Sequence, residues 1–327
     1  MRYLRNPCTN AHYNMAFDQF CLEELDVDEP VFYLWRNAPA VIIGLNQNAY
    51  AEVNLPYLHE HGIVLARRVT GGGAVYHDLQ NLNYTIVGRS ADLERDYPGY
   101  LTYVIEALRG LGVPAELSGR NDILVEERKV SGYAKRVWKD RLMVHGTLMY
   151  DVDLTTLSHV LAVSESKLEA HGIASVRSRV ANLRDYLPSL PGVEALQEAL
   201  EDILSRHHAD GEVLLTPAQL ARINDIARTR FATWEWNMGR SPLATFERKQ
   251  KFACGTIETH FSVEKGQLTS LTFGGDFLGN RPAEELARSL IGCRYESNAI
   301  LTLLSTLNIA DYFDQLTPAE LLNLFSC

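Results

Sequence analysis

RRVTGGGAVYHD, residues 67–78, sets two arginines, three consecutive glycines and a His-Asp pair within one short stretch. Three glycines in a row are costly, because glycine gives up the most backbone freedom on folding. A plain turn needs only one or two. The stretch therefore predicts a backbone that something must approach closely. Successive N–H groups of such a turn can converge on an anion. Arg67 or Arg68 can add a charge-assisted hydrogen bond to phosphate or carboxylate. The spacing is neither GxxxxGK[ST] nor GxGxxG, so on this stretch alone a loop bend with two surface arginines is an equal reading.

Outward from the glycines, IVLARRV reads as a strand on one side, and AVYH and LNYTIVG as strands on the other. Upstream, residues 10–25 read as a helix capped by Asn10, with Phe17, Cys21 and Leu25 on one face. VFYLWR (31–36) and AVIIGL (40–45) read as a hairpin across the short NAP link, and LPYLHEHG as a brief helix ended by Gly62. Downstream come an amphipathic helix, PGYLTYVIEALRGLG, and three consecutive antiparallel strands, NDILV, KVSGYAKRVW and RLMVHGTLMYDVD. In the last, Leu142, Val144 and Leu148 alternate with Met143, His145 and Thr147. Residues 151–236 turn helical. Sheet segments first and helices later predict an α+β fold, a mixed or antiparallel sheet with flanking helices. WNMGRSPLATFERKQ (236–250) reads as a connector. It divides a domain over 1–244 from a small α+β domain over 245–327.

The 327 residues are 46% hydrophobic and 22% charged, the balance of an ordinary soluble protein. A formal charge of −10 argues against a nucleic-acid binder. Arg67, Arg68, Arg120, Arg128, Lys129, Lys135, Arg136, Lys139 and Arg141 nevertheless crowd into two short regions, which suits a local anion site. Five scattered cysteines without a CxxC pair predict neither a disulfide framework nor a cysteine metal site. The N-terminus lacks a signal-peptide core and no long apolar run occurs, so a cytoplasmic protein without membrane association is expected.

A second segment, SGRNDILVEERKVSGYAKR (118–136), holds Lys129 close before Ser131 and Gly132, with Asp122 at the preceding strand. Lys129 can bridge a carboxylate and a phosphate as a movable cation. Asp122 can orient Mg2+ or accept a proton from an amine. Each taken alone is also an ordinary hairpin lysine or turn aspartate. His77 and His145 lie nearest these motifs without metal-site spacing. Thr70, Ser131 and Thr147 lack a GxSxG elbow, which argues against a serine hydrolase.

Taken together, RRVTGGGAVYHD, GRNDILV, KVSGYAKR and HGTLMYDVDL, in this order, resemble the motif blocks of lipoate–protein ligases. NMAFDQ, LWRN, HGIASVRSRVANL (171–183) and GTIETHFSVEKGQLTSLTF extend the likeness over nearly the whole chain. The resemblance implies a catalytic domain of the kind shared with biotin–protein ligases, plus a C-terminal accessory domain. It implies that lipoate attacks the α-phosphorus of Mg-ATP to give lipoyl-adenylate, and that an acceptor lysine then displaces AMP. The acceptors implied are lipoyl domains of 2-oxoacid dehydrogenase E2 subunits or the glycine-cleavage H protein, with a monomeric enzyme.

By resemblance, Lys129 and Asp122 are catalytic, with Asp122 also the Mg2+ candidate. Arg68, Gly73, Ala74, Val75, Tyr76, Lys129 and Arg136 hold ATP and phosphate. Asp18, Trp35, Arg67, Thr70, Gly72, His77, Ser131 and Gly132 form the lipoate pocket. Asp18 stands where a longer Glu is common, Thr70 where Ser is usual, and Tyr133 where Ser often follows KxSG. The rival readings are an octanoyl or lipoyl transferase, which needs a cysteine near the lysine motif, and a non-catalytic lipoate-binding module. No cysteine lies between Cys21 and Cys254.

Overall fold

The computed structural model describes residues 1–26, 28–89, 93–118, 122–161, 179–206 and 211–325. The expectations for Arg120 and for 171–178 lie outside the described residues. The chain forms two compact units, Met1–Leu45 with Gly62–Thr233, and Asn46–His61 with Trp234–Cys327.

In the first unit the strands are β1 (Arg2–Leu4), β2 (Val31–Arg36), β3 (Ala40–Ile43), β4 (Val64–Arg67), β5 (Val75–His77), β6 (Asn81–Arg89), β7 (Glu116–Ser118), β8 (Asp122–Val125), β9 (Arg128–Trp138), β10 (Arg141–Met149) and β11 (Glu212–Val213). Among the described residues the main sheet runs β11-β1-β2-β6-β10-β9-β8-β7, and it is mixed: β1 is parallel to β2 and β11, the other neighbours antiparallel.

Successive strand residues point to opposite faces, and here the two faces differ in chemistry. Phe32, Leu34, Leu82, Tyr84, Ile86, Val144 and Leu148 join an apolar core with Leu101, Val104 and Leu108 of helix Leu93–Gly110 and Leu196 and Leu200 of helix Val193–Arg206. The alternate positions carry Tyr33, Trp35, Asn83, Thr85 and His145, all buried. Helix α1 (Ala11–Glu23), capped by Asn10 as its sequence predicts, packs on that second face, with Phe17 edge-on to Tyr33. A buried polar face must find internal partners, and this one houses the site.

The expected hairpin of 31–36 with 40–45 does not form. β3 instead lies in a second sheet, β4-β3-β5, parallel to β4 and antiparallel to β5. The reason sits in the link. Asn37 is fully buried and hydrogen-bonds Asn14 and His77, so the chain steps into another layer instead of folding back on β2.

The second unit is a three-stranded antiparallel meander, β12 (Ala244–Phe252), β13 (Gly255–Glu264) and β14 (Gln267–Gly275), with helices Ala283–Leu290 and Ser297–Ser305. Ile257, Phe261, Leu268, Leu286, Ile300 and Phe313 form its core. β12 begins inside the stretch read as a connector. Residues 46–61, which the sequence reading placed with the first domain, belong to this unit: Tyr50 stacks edge-on with Tyr295, and Asn48 donates to Pro242 O at 2.7 Å.

Candidate active site

A cavity of about 120 Å³ opens on the polar face of the main sheet. Trp35, Arg68, Gly72, Gly73, Ala74, Val75, His77, Lys129 and Gly132 line it, as do Met15, Ile42, Asn83, Ala134 and His145. Asp18, Arg67, Thr70, Tyr76, Asp122, Ser131 and Arg136, also expected at the site, are not among the lining residues, and each has a physical reason.

The glycine run explains itself through Arg68. Its buried guanidinium donates to Thr70 Oγ1 (3.0 Å) and Gly71 O (3.2 Å) from Nε, and to Ile42 O (3.1 Å) from Nη1. From Nη2 it donates to Gly71 O (2.6 Å) and Gly73 O (2.9 Å). The loop is thus drawn over an internal cation. A trans peptide sets N–H opposite the preceding C=O, so the N–H groups of Gly72 and Ala74 point away from Arg68, as an anion cradle requires. Gly72 adopts φ +94°, and a Cβ on Gly44 would lie 2.1 Å from Gly72 O. Burial lowers the Arg68 pKa to about 10, which leaves it cationic near neutrality. Arg68 therefore shapes the loop, with its hydrogen bonds directed inward.

Arg67 and Arg136 also serve as braces. Fully buried Arg67 donates to Gly44 O and Leu45 O, and Arg136 donates to Val69 O at 2.8 Å. Tyr76 alternates away from the cavity between Val75 and His77 on β5.

Lys129 reaches the cavity because of a β-bulge. Ile123 pairs with Ser131 but Leu124 with Lys129, so Val130 is an extra residue in β9. The bulge shifts the alternation: Ser131 turns inward, fully buried, while Lys129 and Gly132 come to one face. A Cβ on Gly132 would lie 3.0 Å from Lys129 Nζ, so the glycine makes room for the ammonium. Lys129 Nζ pairs with Asp122 Oδ1 at 2.7 Å.

Two histidines face the cavity, both held by α1. His145 Nδ1 lies 2.7 Å from Asp18 Oδ2, and its Nε2 lies 2.8 Å from Thr70 Oγ1. Asp18 Oδ1 accepts from Tyr33 Oη (2.6 Å) and Thr85 Oγ1 (3.0 Å), and Thr85 Oγ1 accepts from Trp35 Nε1 (3.0 Å). Burial and Asp18 push the Tyr33 hydroxyl well above its ordinary pKa, so it stays a donor. Asp18 and Thr70 thus stand one layer behind the pocket and set His145. His77 Nδ1 lies 3.0 Å from Asn37 Nδ2. Burial, then the charges of Arg68 and His145, lower its pKa to about 3.

The family model described as the lipoyl protein ligase A/B catalytic domain matches residues 10–205, and that of the bacterial lipoate protein ligase C-terminus matches 241–325. The lipoate-protein ligase LplJ of Bacillus subtilis is 37% identical, covering 99% of both chains. Lipoate–protein ligase 1 of Staphylococcus aureus is 35% identical, covering 98% of both. The chain belongs to the lipoate–protein ligase family. A solved bipartite lipoate protein ligase of Thermoplasma acidophilum, studied with its E2 lipoyl domain, superposes at TM-score 0.67 and 31% identity, covering 73% of this chain and 96% of that one. A T. acidophilum ligase with bound lipoic acid (TM-score 0.63, 30% identity, 73% and 98% covered) and a lipoate-protein ligase A bound with ATP (0.63, 31%, 73% and 98%) have the same fold.

Within this family's fold, the cysteine needed by a thioester transferase finds no support at the cavity. Cys21 is fully buried on α1, is not among the lining residues, and its thiol is pushed well up by burial and by Asp18. The sequence reading left His145, Asn83, Asn37 and Asn14 out of the site. Signals existed: Asn81, Asn83 and Thr85 alternate in a strand buried up to its last residue, and Asn14 and Asp18 lie four apart on one helix face.

Proposed function

We propose that this protein activates lipoate with ATP to lipoyl-adenylate and then passes the lipoyl group to a lysine of an acceptor lipoyl domain. The observation that carries the reading is the convergence, on one cavity, of an apolar wall (Trp35, Met15, Ile42), a glycine loop whose carbonyls turn to Arg68, and the Lys129 ammonium. In the first step the lipoate carboxylate attacks the α-phosphorus and pyrophosphate leaves. In the second the lysine ε-amine attacks the acyl carbon, AMP leaves, and an amide remains. Backbone N–H groups and Lys129 hold the developing charge without offering the mixed anhydride a competing nucleophile. Lys129 exchanges its Asp122 partner for the carboxylate and α-phosphate; released Asp122 is then placed to accept the proton of the incoming amine.

Among the described residues no three His, Cys, Asp or Glu side chains form a metal cage. A magnesium ion would arrive on the triphosphate, and Asp122 is the carboxylate that would hold it during adenylation, before that side chain serves the amine. Bound there, the ion would neutralise phosphate charge. The C-terminal unit is read as the accessory domain, following 1–244 as the catalytic one. The acceptors are read as E2 lipoyl domains or H protein, and the enzyme as a cytoplasmic monomer. No helix of the described residues is long and apolar enough to cross a membrane.

The test is intact-mass analysis of an apo lipoyl domain incubated with the protein. One reaction holds lipoate with Mg-ATP, the other octanoyl-acyl-carrier protein without ATP. A lipoyl mass gain in the first alone is expected. A gain in the second would establish acyl transfer instead, and a gain in neither would leave a binding module or a ligase for another acceptor.

A further inference from the structure

His77 is 3% exposed and lines the cavity, and its Nε2 has no hydrogen-bond partner among the described residues. What that nitrogen offers depends on the tautomer, which is ordinarily a matter of assignment. Here backbone groups that cannot flip fix it. Asn14 Nδ2 faces the carbonyl oxygens of Cys8 and Arg36, each at 3.0 Å, and carbonyls only accept. The same nitrogen lies 2.8 Å from Asn37, so the Asn37 atom there is its oxygen, Oδ1. Asn37 Nδ2 is thereby turned to His77 Nδ1 at 3.0 Å, as donor. His77 Nδ1 must accept, and the ring's proton lies on Nε2, the buried nitrogen that no described residue meets on this cavity-lining side chain.

Resting on the ligase reading above, we infer that Asn14 and Asn37 are positioning residues that hold His77 as a neutral Nε2–H donor to the dithiolane sulfur of lipoate, favouring lipoate over an unsubstituted acyl chain of the same length. The placement follows from the wall. His77 stands edge-on to Trp35, ring centroids 6.1 Å apart, while the Lys129 ammonium lies over Gly132 beside Asp122. A carboxylate drawn to Lys129 leaves the far end of the chain beside Trp35 and His77. Aromatic faces suit sulfur, and sulfur is a weak acceptor. A methyl-ended chain would instead leave a buried donor unmet, which is penalised. Burial, which holds the His77 pKa down to about 3, keeps the ring neutral at working pH.

Long-range 1H–15N correlation spectra of the 15N-labelled full-length protein test the tautomer. Protonated Nε2 with bare Nδ1 is expected, and Asn37→Asp, which can only accept, should move the proton to Nδ1 while Asn14 keeps an oxygen partner. A bare Nε2 in the parent protein overturns the inference. Pyrophosphate release with lipoate and with octanoate tests the role. Asn37→Asp should raise KM for lipoate about fivefold with kcat held and leave KM for octanoate unchanged. If that variant does not fold, His77→Gln, which keeps an N–H, should retain the preference that His77→Met loses. Equal losses for both acids would put the donor at the carboxylate end and overturn the dithiolane contact. Release with neither acid in the parent protein would sink the ligase reading and that contact together, while the spectra still decide the tautomer.

Discussion

His77 and His145 look into one cavity from different sheets, and one helix prepares them in opposite senses. Four residues apart on α1, Asn14 and Asp18 each reach a ring's Nδ1 side, Asn14 through Asn37 and Asp18 directly. The carboxylate demands a proton on His145 Nδ1; the amide donor forbids one on His77 Nδ1. A single helical turn thus gives two identical side chains complementary hydrogen-bonding roles. The general lesson is that a histidine's function is written on the residue behind it.

The largest expected effect checks that this contrast concerns recognition and not the bond-making step. Lys129→Ala should cut pyrophosphate release by about 10²–10³-fold while the 15N patterns of both histidines stay as they were. Unchanged release would remove Lys129 from the chemistry. Next, Asp18→Asn strikes only the His145 corner. Its amide would face the Tyr33, Thr85 and His145 donors with a single acceptor oxygen, and urea unfolding should register a loss of about 2–3 kcal/mol. A loss within error would mean that this buried network relaxes freely.

Gly44→Ala should unseat the loop that Thr70 ties to His145, costing about 1–3 kcal/mol, because the new Cβ would meet Gly72 O. Gly73→Ala, with nothing within 4 Å of its Cβ, should leave the melting temperature nearly unchanged. The His77 corner answers instead to acid, one pH step at a time. Its folded pKa of about 3 lies below the unfolded value near 6.5, so the unfolded chain binds the extra proton between them. Native stability from this group is complete above pH 6.5 and falls towards pH 3 by up to about 1.4 kcal/mol per pH unit. His77→Gln should flatten that slope in urea titrations at stepped pH, and an unaltered slope would deny the ring's neutrality.

Much of the fold was legible. The three antiparallel strands around Lys129 and the capped first helix followed from alternation and caps, because local patterning dictates both. The β2–β3 hairpin was misread, since a three-residue link says nothing about which layer the next strand joins; buried Asn37 decides that. At the site, motif order brought Lys129, the glycines, Trp35 and His77 together. It could not separate lining from bracing. Arg67, Arg68 and Arg136 look alike in sequence, yet all three hydrogen-bond backbone carbonyls near the loop. Ser131 left the face expected of it because a bulge shifts the period, and no residue type announces a bulge at Val130.

The excursion of 46–61 into the second unit bears on how the protein is made. Tyr50 and Leu55 emerge early from the ribosome, whereas Phe261, Tyr295 and the rest of their core come only after residue 233. With synthesis at about 5–20 residues per second, that apolar segment waits on the order of ten seconds for its companions. A chain halted after the first unit would carry it uncovered. Such truncations should therefore be sticky, and co-expression of 234–327 as a separate piece should restore their solubility.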